Sequence, residues 1–263
     1  MSAEMPTAPR PSRPFEVTNR MVFAIAVPMT LAFLTTPILG IVDTAVIGQF
    51  GDAALIGGLA VGAIIFDIVF TTLNFLRSGT TGFVAQAVGR EDEREQQTVF
   101  WRAIILATGL GLALLLLAWP IRELGILLMN PGPGVAEATR TYVTIRMFAA
   151  PFSLINYAVL GLLLGQGRAV PALLLQTLLN GINIVGSIYF GLHLGWAIEG
   201  VAFGTILGEA AATIAGFFWI MRGFDRAHAP TWDHIFERVE FLRLVSVNRD
   251  IMIRSFALLA GFS

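Results

Sequence analysis

Four ionisable side chains, Asp43, Asp67, Arg146 and Glu209, lie in stretches built almost entirely of Leu, Ile, Val, Ala and Phe. A charge in such surroundings is costly unless it faces water, a cavity or a partner. Each is therefore a pointer to a site that handles protons, ions or a charged solute. Asp43, in "GIVDTAVIG", shares a helical face with Gly40 and Thr36. Two readings stay open for it: a functional carboxylate, or an interfacial acid that reaches outer water. Asp67 has Asn74 two turns further on along its face. Ten residues of helix would place Arg77 about 15 Å from Asp67, too far to pair. Arg146 follows Tyr142 by one turn, and its long stem favours snorkelling to the outer surface. Glu209 lies one turn beyond Thr205 on the same face, too deep for an easy escape to water.

A second polar pattern lies in "QTLLNGINIVGSIYF". Gln176, Asn180, Asn183 and Ser187 interrupt an apolar run. At about 100° per residue they fall within an arc of roughly 60° on a helix. They form a stripe, so a neighbouring element must answer it.

The elements that position these residues are membrane spans. The chain of 263 residues is 56% hydrophobic and only 13% charged, where a soluble domain carries about 25% charged residues. Six stretches suffice to cross a hydrocarbon core of about 30 Å: Met21 to Ile47, Ala54 to Leu76, Phe100 to Ala118, Tyr142 to Leu164, Ala169 to Phe190 and Val201 to Ile220. Trp101, Trp119, Trp196 and Trp219 stand near their ends, as interfacial aromatics do. Residues 1–20 read as a polar cytoplasmic tail, 21–220 as a six-span unit, 221–249 as a cytoplasmic linker with an amphipathic helix, and 250–263 as the start of a seventh, truncated span. "SGTTGFVAQAVGREDEREQQ" reads as a cytoplasmic connection whose charge run is a solvated face. The loops of one side hold most of the arginines, those of the other only Arg122 and Arg140, so the amino terminus is expected in the cytoplasm.

With that orientation Asp43, Tyr142, Asn183, Ser187 and Thr205 share one depth in the outer half of the membrane. A polar layer is better explained by a water-filled cavity than by scattered structural hydrogen bonds. The alternative is interhelical glue, and Tyr142 alone would be an aromatic-belt residue. Other chemistries find little support. The absence of cysteine excludes thiol and Cys-metal chemistry. His193, His228 and His234 lack metal-ligand spacing, and "GQGRAVP" reads as a turn rather than a phosphate cradle. A net charge of −1 gives nucleic acid no basic footprint.

The segments "FLRSGTTGFVAQAVGRED", "GQGRAVPALLLQTLLNGINIV", "GWAIEGVAFGT", "VNRDIMIRS" and "VPMTLAFLTTPILGIVDTAVIGQFG" together resemble the multidrug and toxic compound extrusion (MATE) transporters, specifically their DinF-like branch. The resemblance implies an all-α fold, the six-span amino-terminal lobe of a twelve-span, two-lobed transporter. It implies a cation-coupled antiporter of the bacterial inner membrane rather than an enzyme, exporting amphipathic, cationic small molecules. Asp43 matches the acid that binds the coupling proton or sodium ion, and Pro28 the proline about which the first span bends. Tyr142, Asn183 and Thr205 match cavity-lining polar residues. Ser187 departs, because many relatives carry aspartate there, and Glu209 is the candidate replacement acid. The expected coupling set is thus Asp43, Asn183, Ser187, Thr205 and Glu209. The expected substrate cavity is Thr36, Asp67, Tyr142, Gln176 and Asn180. Without the paired carboxylate, protons are favoured over Na+ at Asp43, and no further cofactor or metal is implied. The partners expected are the substrate, the bilayer and a second lobe that seals the cavity. Three other readings remain: an inactive fragment, half of a dimeric assembly, and a lipid-precursor flippase, whose cavity should be rich in arginine where only Arg146 qualifies.

Overall fold

A computed structural model describes residues 19–237, and all its regular elements are helices. They are α1 (Asn19–Gly48), α2 (Ala53–Leu73), α3 (Phe75–Gly89), α4 (Glu93–Leu116), α5 (Ala118–Met129), α6 (Pro133–Arg146), α7 (Ala150–Gly165), α8 (Ala169–Gly186), α9 (Ala197–Gly223) and the short α10 (Trp232–Ile235). A 3-10 turn, Met147–Ala149, joins α6 to α7, and a π-helical segment, Ser187–His193, continues α8. Six stretches are long and apolar enough to span a membrane: Val22–Gly48, Ala53–Gly89, Glu93–Leu116, Pro133–Gly165, Ala169–His193 and Ala197–Gly223. The six-span reading thus holds, with longer helices than the hydropathy outlined. The seventh span, nearly all of the amino-terminal tail and the linker beyond Glu237 lie outside the described residues.

The second span does not end at Leu76. Its helix pauses at Asn74, whose N–H still bonds to Thr71 O, and then continues as α3 to Gly89. Much of the segment expected as a solvated connection is therefore helix packed on α7. Thr80 and Val84 are buried against Gly161 and Gly165, where a Cβ would come within 2.7 and 2.6 Å of their own Cβ atoms. The fourth span begins at Pro133, nine residues before Tyr142. Its first turns carry Glu137 and Arg140, which pushed the apolar window inward. Arg140 donates to both oxygens of Glu123 at 3.2 Å, and Arg122 donates to the same carboxylate at 3.0 Å. This clasp ties α5 to α6, and the hydrogen bonds from Arg140 hold the Glu123 carboxyl below its usual range.

α8 packs on α1 and α9, α2 on α6, and α7 on α3 and α4. α8 and α9 approach closely where glycines recur every four residues. A Cβ on Gly204 would lie 2.6 Å from Ser187 N, and one on Gly208 would lie 2.6 Å from Leu179 O. Small residues at this spacing let two backbones touch, the main source of helix association where no hydrophobic effect operates. The predicted turn "GQGRAVP" is a tight reversal, with Gly167 at φ +70° between α7 and α8.

The segment after α9 is fastened to the start of α4. Arg102, only 2% exposed, donates to Ile235 O at 2.9 Å and to His234 O, while Gln97 donates to Asp225 O at 3.1 Å. Charge-assisted bonds to backbone carbonyls are the stronger kind. Replacing Arg102 with Gln should release α10 at a cost of roughly 2–3 kcal/mol. Limited proteolysis should then cut between Asp225 and Glu237 many times faster than in the unaltered protein. An unchanged cleavage rate would show that Arg102 is not the fastening.

Candidate functional site

Gln176, Asn180, Asn183 and Ser187 fall on one face of α8 because their spacing of four, three and four residues follows the helical period. That face lies between α1 and α9, and both answer it. Gln176 Nε2 donates to Asn180 Oδ1 at 3.4 Å, and Asn180 Nδ2 donates to Thr35 Oγ1 on α1. Asn183 Nδ2 donates to Thr205 Oγ1 on α9 at 3.3 Å, and Thr205 Oγ1 donates to Val201 O at 3.3 Å. Ser187 Oγ donates to Asn183 Oδ1 at 3.2 Å.

Asp43 stands at the head of this run. It is 7% exposed, its carboxyl group meets the Ser187 hydroxyl, and its Oδ1 is buried without a hydrogen-bond partner. Ser187 has one proton to give, and both Asn183 Oδ1 and the Asp43 carboxyl group lie within its reach. Beyond it the donors point away from Asp43: Asn183 to Thr205, Thr205 to the backbone. A carboxyl group in that place completes the pattern by donating a proton itself or by binding a cation. Its burial speaks against the interfacial reading.

Beside the run opens a cavity of about 510 Å³, within the size range of small-molecule sites. Thr36, Asp67, Gln176, Asn180, Asn183, Thr205 and Glu209 line it, with Leu39, Phe66, Phe70, Leu160 and Leu179 as its apolar part. Asp43, Ser187 and Tyr142 do not. Tyr142 was expected in the wall, or in an aromatic belt; it is 1% exposed, packed edge-on against Phe66 and too close to Gly62 for any side chain there. The cause is the early start of α6, which carries Tyr142 deep into the bundle.

Arg146 differs most from expectation. Rather than snorkelling outward, it lines the cavity, donates to Tyr142 Oη at 2.7 Å and lies over the Phe66 ring, 4.5 Å from the centroid. Arg77 lines the same space and lies over Tyr157 at 5.7 Å, so two arginines face the cavity, not one. Glu209 is not beside Asp43. Its Oε2 accepts from Asn156 Nδ2 at 2.6 Å, the Ser153 hydroxyl bonds to it too, and Thr213 Oγ1 donates to Asn156 Oδ1 at 3.1 Å, fixing the amide. Acid and alcohol at Asp43 and Ser187 thus form one cluster, and Glu209 with the polar face of α7 forms another. That second face escaped the sequence reading, although Ser153, Asn156 and Tyr157 at spacings of three and one form a stripe in "PFSLINYAVL".

Among the described residues, the group with metal-ligand proximity is Glu93, Asp225 and His228, all exposed and remote from the cavity lining. Pro28 lies inside continuous α1, together with Pro37, which lines the cavity.

The chain matches the MatE family over residues 28–189. It is 35% identical over 246 residues to DNA damage-inducible protein F of Escherichia coli K12, covering 91% of this chain and 52% of that protein. It is 27% identical over 211 residues to multidrug resistance protein NorM of Burkholderia vietnamiensis, covering 77% and 44%. In three dimensions it is similar to a MOP-superfamily transporter from Pyrococcus furiosus, with a TM-score of 0.81 at 19% identity over 92% of this chain and 54% of that one. That likeness concerns the fold alone. The chain spans about half the length of the relatives it matches.

Proposed function

The chain belongs to the MatE family, and from that premise we propose that it forms the amino-terminal lobe of a proton-coupled antiporter exporting amphipathic, cationic small molecules. The observation that carries this reading is Asp43: a buried carboxyl group with an unpartnered oxygen, at the head of a run of hydrogen-bonding side chains through Ser187, Asn183 and Thr205. Protonated, Asp43 donates to Ser187 and the run is complete. Deprotonated, it leaves a charge in need of a counterion, and a cationic substrate in the adjoining cavity supplies one. Binding of proton and of substrate then exclude one another, which is the requirement for exchange. Bending of α1 at Pro28, where proline removes a backbone hydrogen bond, links the event at Asp43 to the cavity wall at Thr36. A second lobe closes the cavity from lipid, and the arginine distribution favours an amino terminus on the cytoplasmic side.

The test is transport by the full-length protein in proteoliposomes. An imposed proton gradient should drive ethidium efflux, and a sodium gradient alone should not. Efflux driven by sodium with the proton gradient collapsed would overturn the reading.

Sodium needs several oxygen ligands, and Ser187 is where a second carboxylate is missing. Ser187→Asp should therefore confer sodium-dependent efflux or dye release where the unaltered protein shows none. No change in sodium dependence would count against a site shared by positions 43 and 187.

A further inference from the structure

Arg146 is a cation in the cavity wall, and the ion pairs among the described residues do not include it. Glu209, the nearest acid of α9 to the cavity, is engaged by Asn156. A guanidinium carries five N–H donors; Arg146 uses one on Tyr142 Oη, 2.7 Å away. Its guanidinium carbon lies over Phe66, 4.5 Å from the ring centroid, and over Tyr142 at 5.5 Å. Tyr142 and Phe66 are both within 2% of full burial, so this shelf is rigid. A guanidinium stacked on a ring keeps its edge free, and that edge matches the two oxygens of a carboxylate.

A half-buried cation with no ion pair in contact is costly, and the arrangement makes sense if a contacting partner arrives with the ligand. Resting on the reading of the cavity as the substrate site, we propose that Arg146 is the docking point for an acid group, a carboxylate or planar oxyanion of like size, carried by the amphipathic substrate. Asp67, on the same cavity, opposes a second negative charge and receives the cationic part of the molecule. Phe70 and Leu160 take the apolar body. Arg146 is in this sense a specificity residue.

The experiment uses two dyes with the same body, rhodamine B and its ethyl ester, which differ by one carboxylate. Each is titrated by fluorescence anisotropy against the purified full-length protein in detergent at neutral pH. The acid should bind about tenfold more tightly than the ester, as a charge-assisted bidentate contact warrants. Arg146→Gln should bring the ratio to about one while leaving ester affinity within about twofold, an outcome that a merely structural role for Arg146 does not produce. If the glutamine variant does not fold, Arg146→Lys carries the test, because it keeps the charge and loses the fork; its ratio should fall below about threefold. Equal binding of acid and ester by the unaltered protein, or a tenfold ratio that survives either substitution, overturns the docking role and leaves the transport reading standing. Failure of both dyes to bind overturns both.

Discussion

Asp43→Asn should abolish proton-driven efflux while leaving the protein folded, with cationic dye bound more weakly because the charge it would pair with is gone. The amide matches the carboxyl group in size, so packing beside the polar run at Ser187 is kept. It cannot take up or release a proton, so the exchange that depends on one stops. Its N–H also donates where the protonated acid would, toward Ser187, and the amide carries no charge to be buried. Thermal stability should accordingly be unchanged or raised. The measurement is paired: ethidium efflux under an imposed proton gradient, and a melting curve on the same preparation. Normal efflux at normal expression would remove Asp43 from the coupling step.

Gly204→Val should be among the most damaging single changes to the fold where α9 meets the polar run of α8. An added Cβ would meet Ser187 N at 2.6 Å, Asn183 O at 2.9 Å and Ser187 Oγ at 2.9 Å. Two of these are backbone atoms, which no rotamer change can move aside. The helices must separate, at a cost of about 3 kcal/mol or more, and their separation also breaks the bond from Asn183 to Thr205. Loss of stability and loss of coupling should therefore appear together. Gly181→Ala is the control: a Cβ there meets nothing within 4 Å, and alanine in a helix interior should be neutral or stabilising by up to about 1 kcal/mol. Similar melting temperatures for the two variants would refute the glycine contact between α8 and α9.

The number of spans and the polar face of α8 were legible in the sequence because both rest on local periodicity. Gln176, Asn180, Asn183 and Ser187 needed only a helix to come into line. Where Tyr142 and Arg146 lie was not legible, since Glu137 and Arg140 moved the apparent start of the fourth span inward. Their charges are tolerated because Glu123 on a separate helix clasps Arg140, a contact seventeen residues apart in the chain that no window detects. The same holds for Glu209. Its depth was evident, but its choice of Asn156 over the Asp43 cluster depends on how α7 and α9 face each other, which is tertiary information. The glycines of "GVAFGTILGEAAATIAG" carried a readable signal, a four-residue repeat of small side chains, that the polar residues overshadowed.

The π-helical segment from Ser187 to His193 bears on how this chain is compared with its relatives. Leu194 N bonds to Tyr189 O, five residues back instead of four, so each turn there holds an extra residue. Measured along the helix axis, such a segment behaves as an insertion hidden inside an unbroken helix. A relative with a regular helix at this point would fall out of step with it after Gly186, by position though not by letters. Equivalences around Ser187 are therefore best counted by height from Asn183, and those beyond Phe190 by superposed backbone.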